Sequence, residues 1–428
     1  MNGSAGQANL ENLKRFIAGR RFFLVLCLAI LLGLGGGLVT LVFIFLLRSF
    51  EQLLWQTLPA QLRVSNIGLY TIVVCVTGGV FVGLCDKYFG NWPRSMEESF
   101  TAFKTDGKFD YKHLPQSVLA SFASLGFGAS LGPEAALVTV VGGISSWISQ
   151  KIKLTALNAR ALAYMGSTSA LGALFGSPPG VAALSYSEEF SDRKRHFIWI
   201  TLPGILAGLA GWWLYRNFSS GGYFSYNFLA YKFQMYDLVY FALPAIAAAI
   251  FGLAFIGLEK ALGKILRPFE KHQIVLAMAG GLGLGILALG SSLILFSGHE
   301  GIQDILSNNS SYTGVSLALL SFGKILAATL LLAAGWKGGK FFPVMFIGAA
   351  IGLATSHVFR SVTPMVGVSS GMSAALAVLL RRPFVTILIM IFLFPPNLYL
   401  FAALSSLVGF GICKAVSTRW KLFTTSPI

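Results

Sequence analysis

Gly132-Pro-Glu-Ala-Ala-Leu-Val-Thr-Val-Val-Gly142 and Gly338-Gly-Lys-Phe-Phe-Pro-Val-Met-Phe-Ile-Gly348 are two versions of one pattern. Each runs ten positions from glycine to glycine and reads as a polar-tipped turn followed by an apolar helix. The pattern continues downstream, where Gly166 to Pro178 matches Gly371 to Pro383, twelve positions each. The offsets are 206 (338 − 132), 205 (371 − 166) and 205 (383 − 178) residues. A near-constant offset across three landmarks marks an internal repeat. We therefore divide the chain into a segment 1–21, a first membrane repeat 22–220, a second membrane repeat 235–420 and a tail 421–428.

The composition says what kind of repeat this is. Of 428 residues 55% are hydrophobic and 11% charged, and the mean hydropathy is +0.73. A soluble domain carries roughly 25% charged residues, so a soluble enzyme and a nucleic-acid-binding module are both excluded. The expected class is an all-α polytopic membrane protein, and no enzymatic activity is expected. Its 48 glycines suit helices that pack closely or break inside a bilayer. The net charge of +16 sits in short connectors such as Arg193-Lys194-Arg195 and the stretch Lys260 to Lys271, and at both ends (Lys14, Arg15, Arg20, Arg21; Arg419, Lys421). The positive-inside rule then predicts both termini on the cytoplasmic side of a plasma or inner membrane. Residues 1–21 are polar and Phe22 to Leu47 is long enough to span, so a retained first helix is expected rather than a cleaved signal.

Apolar runs fall near 22–47, 66–85, 117–149, 158–186, 196–215, 238–258, 274–297, 313–335, 341–358, 366–380 and 384–414. Several exceed one span of about 20 residues without reaching two. They are interrupted at Gly132-Pro133, Ser177-Pro178-Pro179, Gly338-Gly339 and Arg382-Pro383. Irregular backbone at membrane depth survives only where it lines a cavity or is buried in protein, so broken or re-entrant helices are expected. Interrupted segments at matching places in two halves point to a transporter's binding site. A helix that starts in mid-membrane presents unpaired N–H groups and a positive dipole end, and two such ends facing each other hold an anion without a charged side chain.

Glu134 and Lys340 fall at equivalent places in the repeat. Glu134 is the one acidic residue between Tyr111 and Ser187. A carboxylate at a helix centre in the bilayer costs roughly 2.5–3.5 kcal/mol on insertion scales, which argues for a role. The alternative is a first-turn or interfacial glutamate completing a helix N-terminus. For Lys340 the alternative is a cation snorkelling to water. Cys27, Cys75, Cys85 and Cys413 show no C-x-x-C or Cys/His spacing and read as small buried hydrophobes. His113, His196, His272, His299 and His357 show no ligand spacing, so neither a metal nor a cofactor is expected. Trp92, Trp147, Trp199, Trp212, Trp213 and Trp336 read as interfacial anchors or packing.

These motifs resemble those of the CLC family of chloride channels and chloride/proton antiporters. Gly132-Pro133-Glu134-Ala135-Ala136, with Val138 and the run Gly142-Gly143-Ile144, is similar to the family's GxEGP signature. Gly338-Gly339-Lys340-Phe341-Phe342-Pro343 resembles its GxFxP signature with the preceding glycine. Phe175 to Glu189 resembles its FxAPxxGxLFxxEE segment, and Lys324 fits a basic residue that the family carries upstream of GxFxP. The resemblance implies a homodimer, each subunit with an anion pathway between two inverted repeats of tilted and broken helices. In that pattern Glu134 matches a gating and proton-carrying glutamate. Gly339, Lys340, Phe341, Phe342 and Pro343 match the anion-binding segment, with the amides of Lys340 and Phe341 on the ion. Chloride is the implied substrate and protons the counter-ion.

Counting ten residues from Pro178, as the family spacing does, selects Glu188 as the inner proton acceptor; a count from Pro179 selects Glu189. The alternative is a solvated acidic turn paired with Arg193 to Arg195. The family's GSGIP motif is reduced to Phe89-Gly90-Asn91-Trp92-Pro93. Aligned on the proline, Gly90 falls at the anion-touching serine with Asn91 beside it. The family's C-terminal tyrosine has no counterpart, Pro133 replaces a Lys or Arg, and Lys340 adds a charge. The expectation is chloride/proton antiport by a divergent, prokaryotic-type member without cytoplasmic regulatory domains. A passive channel for chloride or another halide is the alternative.

Overall fold

The computed structural model describes residues 20–153, 156–179, 181, 197–219, 226–228 and 230–420. Helices dominate throughout, and among the described residues the one β-type contact is an isolated bridge between Gly132 and Gly339. The first half supplies α1 (Arg20–Gln52), α2 (Ile67–Phe89), α3 (Met96–Asp106), α4 (Leu114–Leu125), α5 (Glu134–Lys151), α6 (Ala156–Phe175) and α7 (Phe197–Phe218). The second supplies α8 (Ala242–Leu266), α9 (Gln273–Ala288), α10 (His299–Ser307), α11 (Gly314–Ala333), α12 (Phe341–Val358), α13 (Pro364–Leu380), α14 (Pro383–Leu393) and α15 (Tyr399–Trp420). Six stretches of described residues are long and apolar enough to cross a membrane, among them Phe23–Gln61, Ile67–Phe89 and Gly314–Ala333.

The run 117–149 breaks at the predicted Gly132-Pro133 and divides into α4 and α5. The run 384–414 also breaks, at Pro395-Pro396, a pair not among the interruptions expected from sequence, and divides into α14 and α15. Proline opens α13 and α14 from their first positions, where a missing N–H costs nothing. Gly176, at φ +62°, ends α6. The run 238–258 extends further than its apolar residues suggest: α8 continues to Leu266, through Lys260 and Lys264.

Within the first half α1, α5, α6 and α7 pack together, and in the second α8, α11, α12, α13 and α15 do; α2 packs along α9 and joins the halves. The seam between α12 and α13 is built on glycine. A side-chain carbon on Gly352 would meet the carbonyl of Gly367, and one on Gly348 would lie 2.6 Å from the Gly371 carbonyl. Small residues let two backbones approach this closely in a medium that gives no hydrophobic drive for helix association. All of α12 from Phe341 to Ser356 and all of α13 from Met365 to Leu380 are buried. These helices are apolar on every face, which suits a central position wrapped by others.

The repeat aligns one residue differently from its sequence spacing. Helices α5 and α12 are both 18 residues long. They begin at Glu134 and Phe341, so here the offset is 207 (341 − 134), not 206. Glu134 is therefore equivalent to Phe341, while Lys340 occupies the N-cap position that Pro133 holds in the first copy. Trp336 is packing rather than an anchor: it is 2% exposed and its Nε1 donates to the Ala277 carbonyl at 2.9 Å. Cys75 and Cys413 are buried, whereas Cys27 and Cys85 are half-buried.

Candidate functional site

Two helix N-termini meet where the repeat pattern begins. Gly132 N–H donates to the Gly339 carbonyl at 2.9 Å and Gly339 N–H donates to the Gly132 carbonyl at 2.7 Å. This reciprocal pair is the arrangement of an antiparallel ladder, and it ties the turn before α5 to the turn before α12. Neither helix has a side-chain cap: the N-cap residues Pro133 and Lys340 offer no acceptor to the first turn. The first N–H groups of each helix thus need a partner from elsewhere.

For α12 that partner is Glu134. Its Oε1 accepts the Phe341 N–H at 2.8 Å, and the residue is 1% exposed. A carboxylate from one half thereby sits at the positive end of a helix from the other, where an anion is most favoured. Its second oxygen, Oε2, is buried with no hydrogen-bond partner. Both glycines of the bridge are required by this arrangement, because a Cβ on Gly132 or on Gly339 would run into the Glu134 carboxylate. Phe175 closes over the same place, its ring 4.2 Å from that of Phe341 and 5.7 Å from that of Phe342. Phe342 and Pro343 are buried in the first turn of α12.

The side chain of Lys340 turns away from the amides. Its Nζ pairs with Glu259 Oε1 on α8 at 2.8 Å and with Glu97 Oε1 on α3 at 3.4 Å. A cavity of about 40 Å³ lies against this cluster, lined by Ser95, Glu97, Glu134, Lys340, Phe341 and Leu380 among others. Helix α3 also begins here. Ser95 Oγ accepts the Glu98 N–H at 3.1 Å while Glu98 Oε2 accepts the Ser95 N–H at 3.0 Å, closing a capping box.

Asn91 stands in a neighbouring cleft of about 430 Å³, where its Oδ1 accepts from Lys337 Nζ at 2.6 Å. Gly90, at φ +79°, ends α2 just before it. Ser95 and Gly338 line both spaces. Glu188 and Glu189 lie outside the described residues.

Sequence reasoning missed four of these groups. Ser95, two residues beyond Pro93, places a serine at the N-terminus of α3 after alignment on the proline had suggested none. Lys337 pairs with Asp86 Oδ1 at 2.8 Å, and its flanking Trp336 and Gly338 gave no sign of a partner. Glu97, beside Glu98, and Glu259, beside Lys260, carried no motif that set them apart. Lys324, singled out from sequence, is fully buried. Its Nζ donates to the carbonyls of Leu293, Ile294, Leu295 and Phe296 at 3.0, 3.2, 2.9 and 2.8 Å. Among the described residues no cluster of His, Cys, Asp or Glu could hold a metal.

A family profile described as "Voltage gated chloride channel" matches residues 78–414. The chain belongs to the voltage-gated chloride channel family. The match begins within α2 and ends within α15, so it takes in both helix N-termini of the site. A relative outside the solved structures, the putative ion-transport protein YfeO of Salmonella schwarzengrund, is 28% identical over 360 residues, covering 82% of this chain and 85% of its own. Among solved structures, a slow cyanobacterial Cl⁻/H⁺ antiporter superposes with a TM-score of 0.73 at 21% identity, over 93% of this chain and 99% of that one. A CLC-type fluoride/proton antiporter superposes with a TM-score of 0.75 at 16% identity, over 92% and 96%. At these identities the structural likeness is one of fold.

Proposed function

We propose that this family member exchanges anions, chloride first, for protons across the membrane, with Glu134 as gate and proton carrier. The observation that carries the reading is the hydrogen bond from Phe341 N–H to Glu134 Oε1, made by a buried carboxylate at the N-terminus of a helix from the other half. A carboxylate in that position is a stand-in for the transported anion. Protonation removes its charge, so a neutral Glu134 no longer competes and a free anion takes the amides of Lys340 and Phe341, at the bridge that Gly339 makes and above buried Phe342 and Pro343. The anion and the carboxylate thus compete for one position, so occupancy by the anion is tied to the protonation of Glu134. Asn91, in the adjoining cleft, serves with its neighbour Gly90 as an approach for the anion toward α3.

Glu188 is our choice for the inner proton acceptor, with Glu189 as its neighbour and rival. The working unit is a homodimer with both termini cytoplasmic and no cofactor. Solved structures that share this fold include a Cl⁻/H⁺ and a fluoride/proton antiporter, and the exchange reading takes their activity as its pattern. The test is purified protein in chloride-loaded liposomes, with chloride efflux and external pH recorded together. Opposed chloride and proton movement supports the reading. Chloride efflux without proton movement overturns exchange and leaves a passive channel gated by Glu134.

A further inference from the structure

We infer that Glu97 is a proton-relay residue, delivering protons to Glu134 through water in the small cavity that both side chains line. The inference rests on the exchange reading above and extends it, since that reading names a single further proton acceptor, Glu188 or its rival Glu189.

Four observations place Glu97 in this role. Glu97 stands in the first turn of α3, and its side chain is 36% exposed, whereas Glu134 is 1% exposed. Glu97 is thus the more accessible of the two carboxyls. Both line a cavity of about 40 Å³, and one water needs ~10–15 Å³, so it has room for water. Oε2 of Glu134 is buried without a hydrogen-bond partner, so the carboxylate keeps an uncommitted oxygen that can take a proton. Lys340 fixes Glu97 in place by its ion pair and is itself held by Glu259.

Glu97 and Glu259 converge on the Lys340 ammonium, and Lys260 stands within electrostatic reach of Glu259 and Lys340. Glu98 is committed to the α3 cap, and Arg160 reaches the Phe103 carbonyl further along α3. Of the acids on α3's first turn, Glu97 alone lines the cavity with Glu134.

The step balances simply. The Glu97 carboxyl gives its proton to a cavity water as that water gives one of its own to Glu134 Oε2. Glu97 ends as a carboxylate, Glu134 as a neutral acid, and the water is restored. Glu97 is then recharged from the aqueous phase it faces.

The experiment compares the wild-type protein, Glu97→Gln, Glu97→Asp, Glu188→Gln and Glu134→Gln in chloride-loaded liposomes, reading the ratio of proton to chloride flux. Elution profile and melting temperature certify that each variant is folded. The relay predicts that the ratio falls at least fivefold in Glu97→Gln and is largely restored in Glu97→Asp. A merely structural Glu97 lowers both fluxes together and leaves their ratio unchanged, which overturns the inference while the exchange reading stands. A ratio that collapses in Glu188→Gln and holds in Glu97→Gln also overturns it. A wild-type protein that moves no protons defeats the exchange reading and the relay with it.

Discussion

Gly132 and Gly339 exchange both of their backbone hydrogen bonds, at 2.9 and 2.7 Å, and so join the N-termini of α5 and α12 through a single antiparallel pair. The two residues come from different halves of the chain, and the pair fixes the distance between the two helix ends. It also leaves the space that the Glu134 carboxylate fills. Any side chain at either glycine takes that space.

Gly339→Ala is the substitution that tests this fit. Its Cβ collides with the Glu134 carboxylate, which must leave the Phe341 N–H. With the carboxylate displaced, protonation no longer governs the site. The expected outcome is chloride flux that has lost its rise with falling pH, together with a proton-to-chloride ratio reduced severalfold. Flux measured in liposomes from about pH 4, near the ordinary glutamate value of about 4.3, up to about pH 7.5 gives the answer. An unchanged pH profile would show that the carboxylate does not rest on Phe341.

Lys324 makes a different kind of prediction. Its Nζ lies within hydrogen-bond distance of four successive carbonyls between α9 and α10 and shares three protons among them. Hydrogen bonds to a charged group contribute about 1.5–3 kcal/mol each, and buried acceptors left unpaired carry a further penalty. Lys324→Met keeps the packing volume and removes the donor. We expect a loss of at least ~3 kcal/mol of stability, seen as a lower melting temperature in detergent. A melting temperature equal to the wild type would mean that those carbonyls find other donors.

How much of this was readable beforehand varies from residue to residue. The all-α membrane class followed from composition, and the breaks at Gly132-Pro133 and Gly338-Gly339 followed from two residue types that interrupt helices. The repeat was legible, but its register slipped by one. Spacing matched Gly132 to Gly338, while the backbone pairs Gly132 with Gly339, and nothing local distinguishes two adjacent glycines. The direction of Lys340 was not legible because its partners, Glu97 and Glu259, are distant in sequence and on separate helices. Ser95 escaped because alignment on Pro93 fixed attention on Gly90 and Asn91, whereas the α3 cap lies further on. Trp336 illustrates the same limit: an indole reads alike at an interface and in a core until its carbonyl partner, Ala277, is known.

The two candidate inner acids are separable by substitution. Glu188→Gln is expected to cut proton flux by tenfold or more, while Glu189→Gln retains it. Parallel liposome measurements of proton flux at equal protein density check the pair. The reverse result would move the role to Glu189 and favour the count from Pro179; retention in both would remove this segment from the proton path.

The central claim is that the carboxylate of Glu134 both occupies the anion position and carries the proton. Glu134→Gln tests it most directly, because the amide keeps the shape of the side chain and cannot ionise. The measurement is simultaneous recording of chloride efflux and external pH from chloride-loaded liposomes containing wild-type or Glu134→Gln protein. We predict that the variant still passes chloride, independently of pH, and moves no protons against it. Chloride flux, pH dependence and proton coupling all equal to those of the wild type would contradict the account.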